Sequence, residues 1–101
     1  MNYNNVPINW DKANNVIKKA SRIMLTTHEN PDGDGLGSEC GIYYHLKEIG
    51  KDVRIVNYSE LPFEYRYLNQ DNIFESYKED LHENWIKDVD LVIIFDVGDY
   101  L

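Results

Sequence analysis

Apolar positions along the chain alternate between two spacings, and the switches between them predict the order of the elements. Trp10, Ala13, Val16, Ile17 and Ala20 fall at helical spacing behind Asn9, a residue type that caps helix starts, so an amphipathic helix is predicted from about Trp10 to Ala20. The run from Ile23 to Thr27 is short and rich in β-branched residues, and a strand that apolar is expected to be buried on both faces. A polar turn from His28 to Ser38, HENPDGDGLGS, follows it. Behind the turn, Leu36, Cys40 and Tyr43 share one helical row and Ile42, Leu46 and Ile49 the next, predicting a second helix that Gly50 closes as its C′ residue. Val53 to Tyr58 reads as a second strand. Pro62 opens a short helix carrying Phe63, Tyr67 and Leu68, and Leu81, Trp85 and Ile86 mark another. The run from Asp90 to Asp96 is a near-uninterrupted apolar strand that ends in a carboxylate.

Strands alternating with helices imply βαβ units, hence an α/β fold with a parallel sheet flanked by helices on both faces. The pattern predicts three strands. His28 follows the first and Asp96 ends the last, so both are expected at the carboxyl edge of the sheet, where open α/β folds bind ligands.

Composition narrows the functions that such a fold could serve. The 101 residues suit one domain without internal repeats. Ten Lys and Arg against eighteen Asp and Glu leave a charge of -8, which argues against a binder of duplex nucleic acid, because the basic stripe that neutralises phosphates is absent. A small phosphorylated substrate stays open, since divalent ions invert the local sign. The single Cys40 excludes an intrachain disulfide and a multi-cysteine zinc site, and fits a reducing compartment. No basic segment leads into an apolar one at the start of the chain, and the longest apolar run, Leu91 to Phe95, is far short of a membrane span. A soluble, cytoplasmic protein is expected.

His28, Asp32 and Asp34 bring an imidazole and two carboxylates together within seven residues, and the expected sheet adds Asp96. One nitrogen among oxygen donors suits a hard or borderline divalent ion, manganese first and magnesium second. The glycines are expected to let the turn aim both carboxylates at one point. The start of the second helix, near Gly37 and Ser38, would face the site and hold a phosphate. Competing motifs fail on particular residues. An EF-hand loop from Asp32 would need a bidentate glutamate where Tyr43 stands, the dinucleotide fingerprint lacks its third glycine, and no Lys-Ser/Thr pair completes a Walker A loop. Asp99 reads as a solvated turn residue, His45 and His82 as ordinary helix residues, and Cys40 as a small core residue.

The stretch Thr27-His28-Glu-Asn-Pro31-Asp32-Gly-Asp34-Gly-Leu-Gly37-Ser38, a helix ending Leu46-Lys-Glu-Ile-Gly50-Lys, and the later Asp90-Leu-Val-Ile-Ile-Phe-Asp96 resemble the amino-terminal part of the DHH family of phosphoesterases. The similarity spans about residues 10 to 101. It points to the branch holding nanoRNases, 3′-phosphoadenosine 5′-phosphate (pAp) phosphatases and cyclic dinucleotide phosphodiesterases. It implies a Rossmann-like three-layer sandwich with His28, Asp32 and Asp34 as metal ligands and Asp96 as the bridging ligand. It also implies two Mn²⁺ ions about 3.5 to 4 Å apart that clamp a phosphate and activate water for in-line attack on phosphorus. The Asp-His-His motif and the carboxyl-terminal substrate domain of the family do not occur before the chain stops at Leu101. Residues 1–101 are therefore expected to be the amino-terminal part of the domain, inactive when isolated.

The substrates implied are short oligonucleotides or small nucleotides such as pAp, with cyclic dinucleotides, pyrophosphate and polyphosphate as alternatives. Phe63, Tyr65 and Tyr67, behind the second strand, are candidates to flank the substrate cleft, since aromatic rings stack on bases. A different class of function, a non-catalytic interaction module, also fits the pattern. The last strand would leave an unpaired edge at Leu91 to Phe95, and self-association through it is expected.

Overall fold

A computed structural model of the chain describes residues 10–27 and 33–95, without the side chains of residues 10, 33 and 34. Its elements are α1 (Trp10–Lys19), β1 (Arg22–Thr27), α2 (Gly33–Glu48), β2 (Asp52–Asn57), a 3₁₀ helix (Phe63–Asn69), β3 (Phe74–Ser76), α3 (Glu79–Ile86) and β4 (Leu91–Phe95). All strand pairs are parallel, in the order β3-β2-β1-β4, so the α/β architecture is as expected. The sheet has one strand more than the three predicted. β3 is Phe-Glu-Ser, too short and too polar to show a period, and it forms because Ile55, Val56 and Asn57 of β2 offer it a ladder.

The two sheet faces are covered unequally. Ile23 and Leu25 of β1 and Val53 and Ile55 of β2 point to one face, where they form the core with Ala20, Leu46 and Ile73, and Ile17, Leu91 and Ile93 pack around it. On α2, Leu36, Glu39, Cys40, Tyr43 and Leu46 make one stripe three or four residues apart, which turns to this face. The other face carries Arg22 and Arg54, whose guanidinium groups lie 5.3 and 5.1 Å from the Trp85 ring of α3. Val56 is also buried on this face, beside the Glu75 that His82 of α3 contacts, and the face is open on the β4 side. Val92 and Ile94 of β4 are 45% and 65% exposed, and Met24 is half-buried. β1 is thus not buried on both faces; its burial alternates, because α3, which runs from Glu75 of β3 to Arg22 of β1, leaves Met24 and Thr26 only partly covered.

α2 starts at Gly33, three residues before the first apolar position that announced it, and ends as predicted. Gly50 takes a φ of 88°, its N–H donates to the Lys47 carbonyl (3.0 Å), and the Lys51 N–H donates to the Leu46 carbonyl (3.0 Å). This double closure needs a left-handed residue at Gly50. The Lys51 ammonium reaches back to the carbonyls of Lys18 (2.9 Å) and Ala20 (2.6 Å), placing a cation at the end of α1.

The connections decide where a ligand can sit. From β1 the chain crosses to β2 through α2 on the core face, whereas from β3 it returns through α3 on the opposite face to the far side of β1. Right-handed crossovers running in opposite directions require their helices on opposite faces. The strand order therefore reverses between β1 and β4, and at such a switch point the carboxyl ends of the strands leave a crevice.

Candidate functional site

β1 and β4 are hydrogen-bonded neighbours, and their register pairs Thr27 with Phe95. Neighbouring strands lie about 4.8 Å apart, so the chain leaves the sheet twice at almost one point. The next residues are His28 and Asp96. Those two, with Asp32 and Asp99, lie outside the described residues, and Asp34 is described as backbone only, in the first turn of α2. The elements that precede the four candidate ligands thus converge on the switch point. Among the described residues, no three His, Cys, Asp or Glu side chains gather where they could hold a metal ion.

Residues 33–38 are helical and not part of a turn, which corrects the reading of the glycines from His28 to Ser38. Gly37 has no strained backbone, and a Cβ there would meet nothing within 4 Å. Gly37 and Ser38 are both exposed on the second turn of α2. They lie one turn beyond the helix end, where the positive end of the dipole is concentrated, so Ser38 offers its hydroxyl rather than a terminal amide.

Directly under this rim is a buried polar network that sequence reasoning did not single out. The Thr27 N–H donates to Asn57 Oδ1 (3.0 Å), and Asn57 Nδ2 donates to Glu39 Oε1 (2.9 Å). The residues are 5%, 4% and 0% exposed. It links the carboxyl ends of β1 and β2 to the second turn of α2. Two further atoms of the network, Glu39 Oε2 and Thr27 Oγ1, are buried without a hydrogen-bond partner among the described residues. Burial pushes the Glu39 carboxyl from 4.5 up to about 7, against the opposing hydrogen bond from Asn57. The signal was present in the pattern: Glu39 falls on the apolar row of α2, and Asn57 ends an apolar strand.

The remaining candidates take structural positions. His82 is buried; its Nδ1 accepts from the Lys78 N–H (2.9 Å) and its Nε2 donates to Glu75 (3.0 Å), which ties the start of α3 to β3. His45 is exposed on the far half of α2. Cys40 packs against the core, and burial pushes its thiol up, away from the thiolate a nucleophile needs. Phe63 and Tyr67 are 75% and 62% exposed and Tyr65 is half-buried, with the Arg66 guanidinium 3.9 Å from the Phe63 ring centre. A groove of about 350 Å³ lies between α1 and α2, but its walls include Ile42, His45 and Ile49, at the opposite end of α2 from the switch point. No helix among the described residues is long and apolar enough to cross a membrane.

A parallel sheet whose strand order reverses between β1 and β4 defines a doubly wound α/β domain, and comparison with known proteins says which kind. The model of the DHH family, N-terminal domain, matches residues 22–100, and the chain belongs to that family. A curated relative, the bifunctional oligoribonuclease and PAP phosphatase NrnA of Thermus thermophilus, is 42% identical over 50 residues. That match covers 46% of this chain and 15% of the relative. No solved structure matches the chain.

Proposed function

We propose that the chain supplies the front of the metal centre of a phosphoesterase acting on short oligonucleotides or on small nucleotides such as pAp. The observation that carries this reading is the pairing of Thr27 with Phe95 at the switch point, the two residues that immediately precede His28 and Asp96 in the chain. Family membership and the activities named for the Thermus relative support the substrate class.

The donor set of His28, Asp32, Asp34 and Asp96 fits Mn²⁺, with Mg²⁺ as the alternative, because three carboxylates and one imidazole match a hard or borderline ion and offset its charge. When bound, such ions polarise the phosphate and acidify water. The chain's own residues hold those ions at the rim, and Ser38 on the open second turn of α2, beside Gly37, meets a phosphate oxygen with its hydroxyl. Nothing in this scheme uses Cys40 or His82.

Calorimetric titration of the metal-free chain with MnCl₂ tests the reading. Binding is expected for the wild type and is expected to weaken at least tenfold in Asp34→Ala; equal affinity in the two proteins would refute the ligand assignment. Hydrolysis of pAp, a dinucleotide and pyrophosphate, compared side by side in a protein carrying this domain, distinguishes the substrate classes. A preference for pyrophosphate would replace the nucleotide reading.

A further inference from the structure

We propose that Glu39 and Asn57 are positioning residues that lock the end of β1 to α2, the two elements that lead into and follow the candidate metal ligands of the first motif. The inference rests on the metal-centre reading above, and adds to it two residues that touch neither metal nor substrate.

An asparagine at the end of a strand can turn its amide either way, and only one orientation presents Oδ1 to the Thr27 N–H. Glu39 Oε1 selects that orientation by accepting from Nδ2 on the other side of the amide. Thr27 is the last residue of β1 and His28 the next in the chain, so the bond anchors the Thr26–Thr27 peptide, the last of the strand, to the end of β2. Glu39 also sits five residues after Asp34 on the same rigid helix, and its hold on β2 therefore sets α2 against the strand ends. The pair joins the two elements that carry the first motif, β1 and α2, through a third that carries none of it. A core built for packing alone would place an apolar side chain at a position as fully buried as Glu39, and Glu39 Oε2 and Thr27 Oγ1, without partners among the described residues, mark the cost of not doing so. Partners that orient metal ligands from behind typically govern affinity by 10- to 100-fold.

The test uses Glu39→Leu, Glu39→Gln and Asn57→Ala in the full chain, with Mn²⁺ alone as the probe and amide hydrogen exchange at Thr27 as a second readout. Glu39→Leu and Asn57→Ala are expected to bind Mn²⁺ about 10- to 100-fold more weakly, with faster exchange at Thr27. Glu39→Gln keeps a carbonyl oxygen for Asn57 Nδ2 and is expected to retain both wild-type affinity and slow exchange. A purely structural role predicts lower melting temperatures with unchanged Mn²⁺ affinity below the melt, and that result overturns the proposal. So does a Glu39→Gln protein as impaired as Glu39→Leu. Should the wild type bind no Mn²⁺, the metal-centre reading fails, and Thr27 exchange alone judges the pair: exchange equal in wild type and Glu39→Leu overturns it.

Discussion

Raising the pH through neutrality should destabilise this chain through one buried carboxyl, and the size of the effect follows from the structure. Glu39 is fully buried, and burial holds its pKa at about 7 in the folded chain against 4.5 ordinarily. Between those values the folded chain keeps the Glu39 proton while the unfolded chain releases it. The stabilisation is fully present below pH 4.5 and is lost as the pH rises through 7. Each pH unit of that interval is worth roughly 1.36 kcal/mol, so the interval as a whole removes about 3 kcal/mol. Against a typical domain stability of about 5 to 15 kcal/mol, that is a large fraction. Glu39→Gln removes the proton while retaining the shape and the acceptor for Asn57. Urea unfolding of both proteins in metal-free buffer, at half-unit steps from about pH 4 to 8.5, should give stabilities that nearly coincide at the acid end. They should diverge by about 3 kcal/mol in favour of the variant at the alkaline end. Taking the difference cancels the other titrating groups. Among these is Asp90, whose carboxyl is held below its ordinary value chiefly by the Ser21 N–H and whose effect has the opposite sign, lost on acidification. A difference between the two proteins that stays flat across this range would refute the reasoning.

Gly50→Ala tests the closure of α2: a Cβ at Gly50 meets no atom within 4 Å, so the penalty is that of the positive φ alone. It should lower the unfolding free energy by about 1 kcal/mol in the same urea assay; a neutral result would contradict the left-handed closure. We also propose that β4, at the edge of the sheet with Ile94 exposed, lets the chain self-associate through that edge. The wild type should then sediment as a dimer or larger species in the analytical ultracentrifuge and Ile94→Lys as a monomer, and a monomeric wild type would refute the proposal.

The chain's local patterns were enough to place most elements. The helical rows of Leu36, Cys40, Tyr43 and Leu46, the β-branched runs at Ile23 and Ile55, and Gly50 each state a backbone preference that acts over a few residues, and the structure follows each to within a few residues. The metal-ligand residue types were also legible, because His28, Asp32 and Asp34 sit within one short stretch. What local pattern could not state was anything that depends on a neighbour far along the chain. β3 exists only as a ladder on β2, and the early start of α2 hid behind glycines that read as a turn. The two-sided burial expected of β1 failed because burial belongs to what α3 covers, not to the strand's own residues. Above all, the register of Thr27 with Phe95 and the bridge from Thr27 through Asn57 to Glu39 span 68, 30 and 18 residues of sequence. The amino-acid order by itself determined which segments are helix or strand and which residues have the chemistry to bind a metal. Tertiary structure alone decided which elements meet, since crossover handedness and strand order are settled by packing two faces of one sheet, a constraint that no short window of sequence contains.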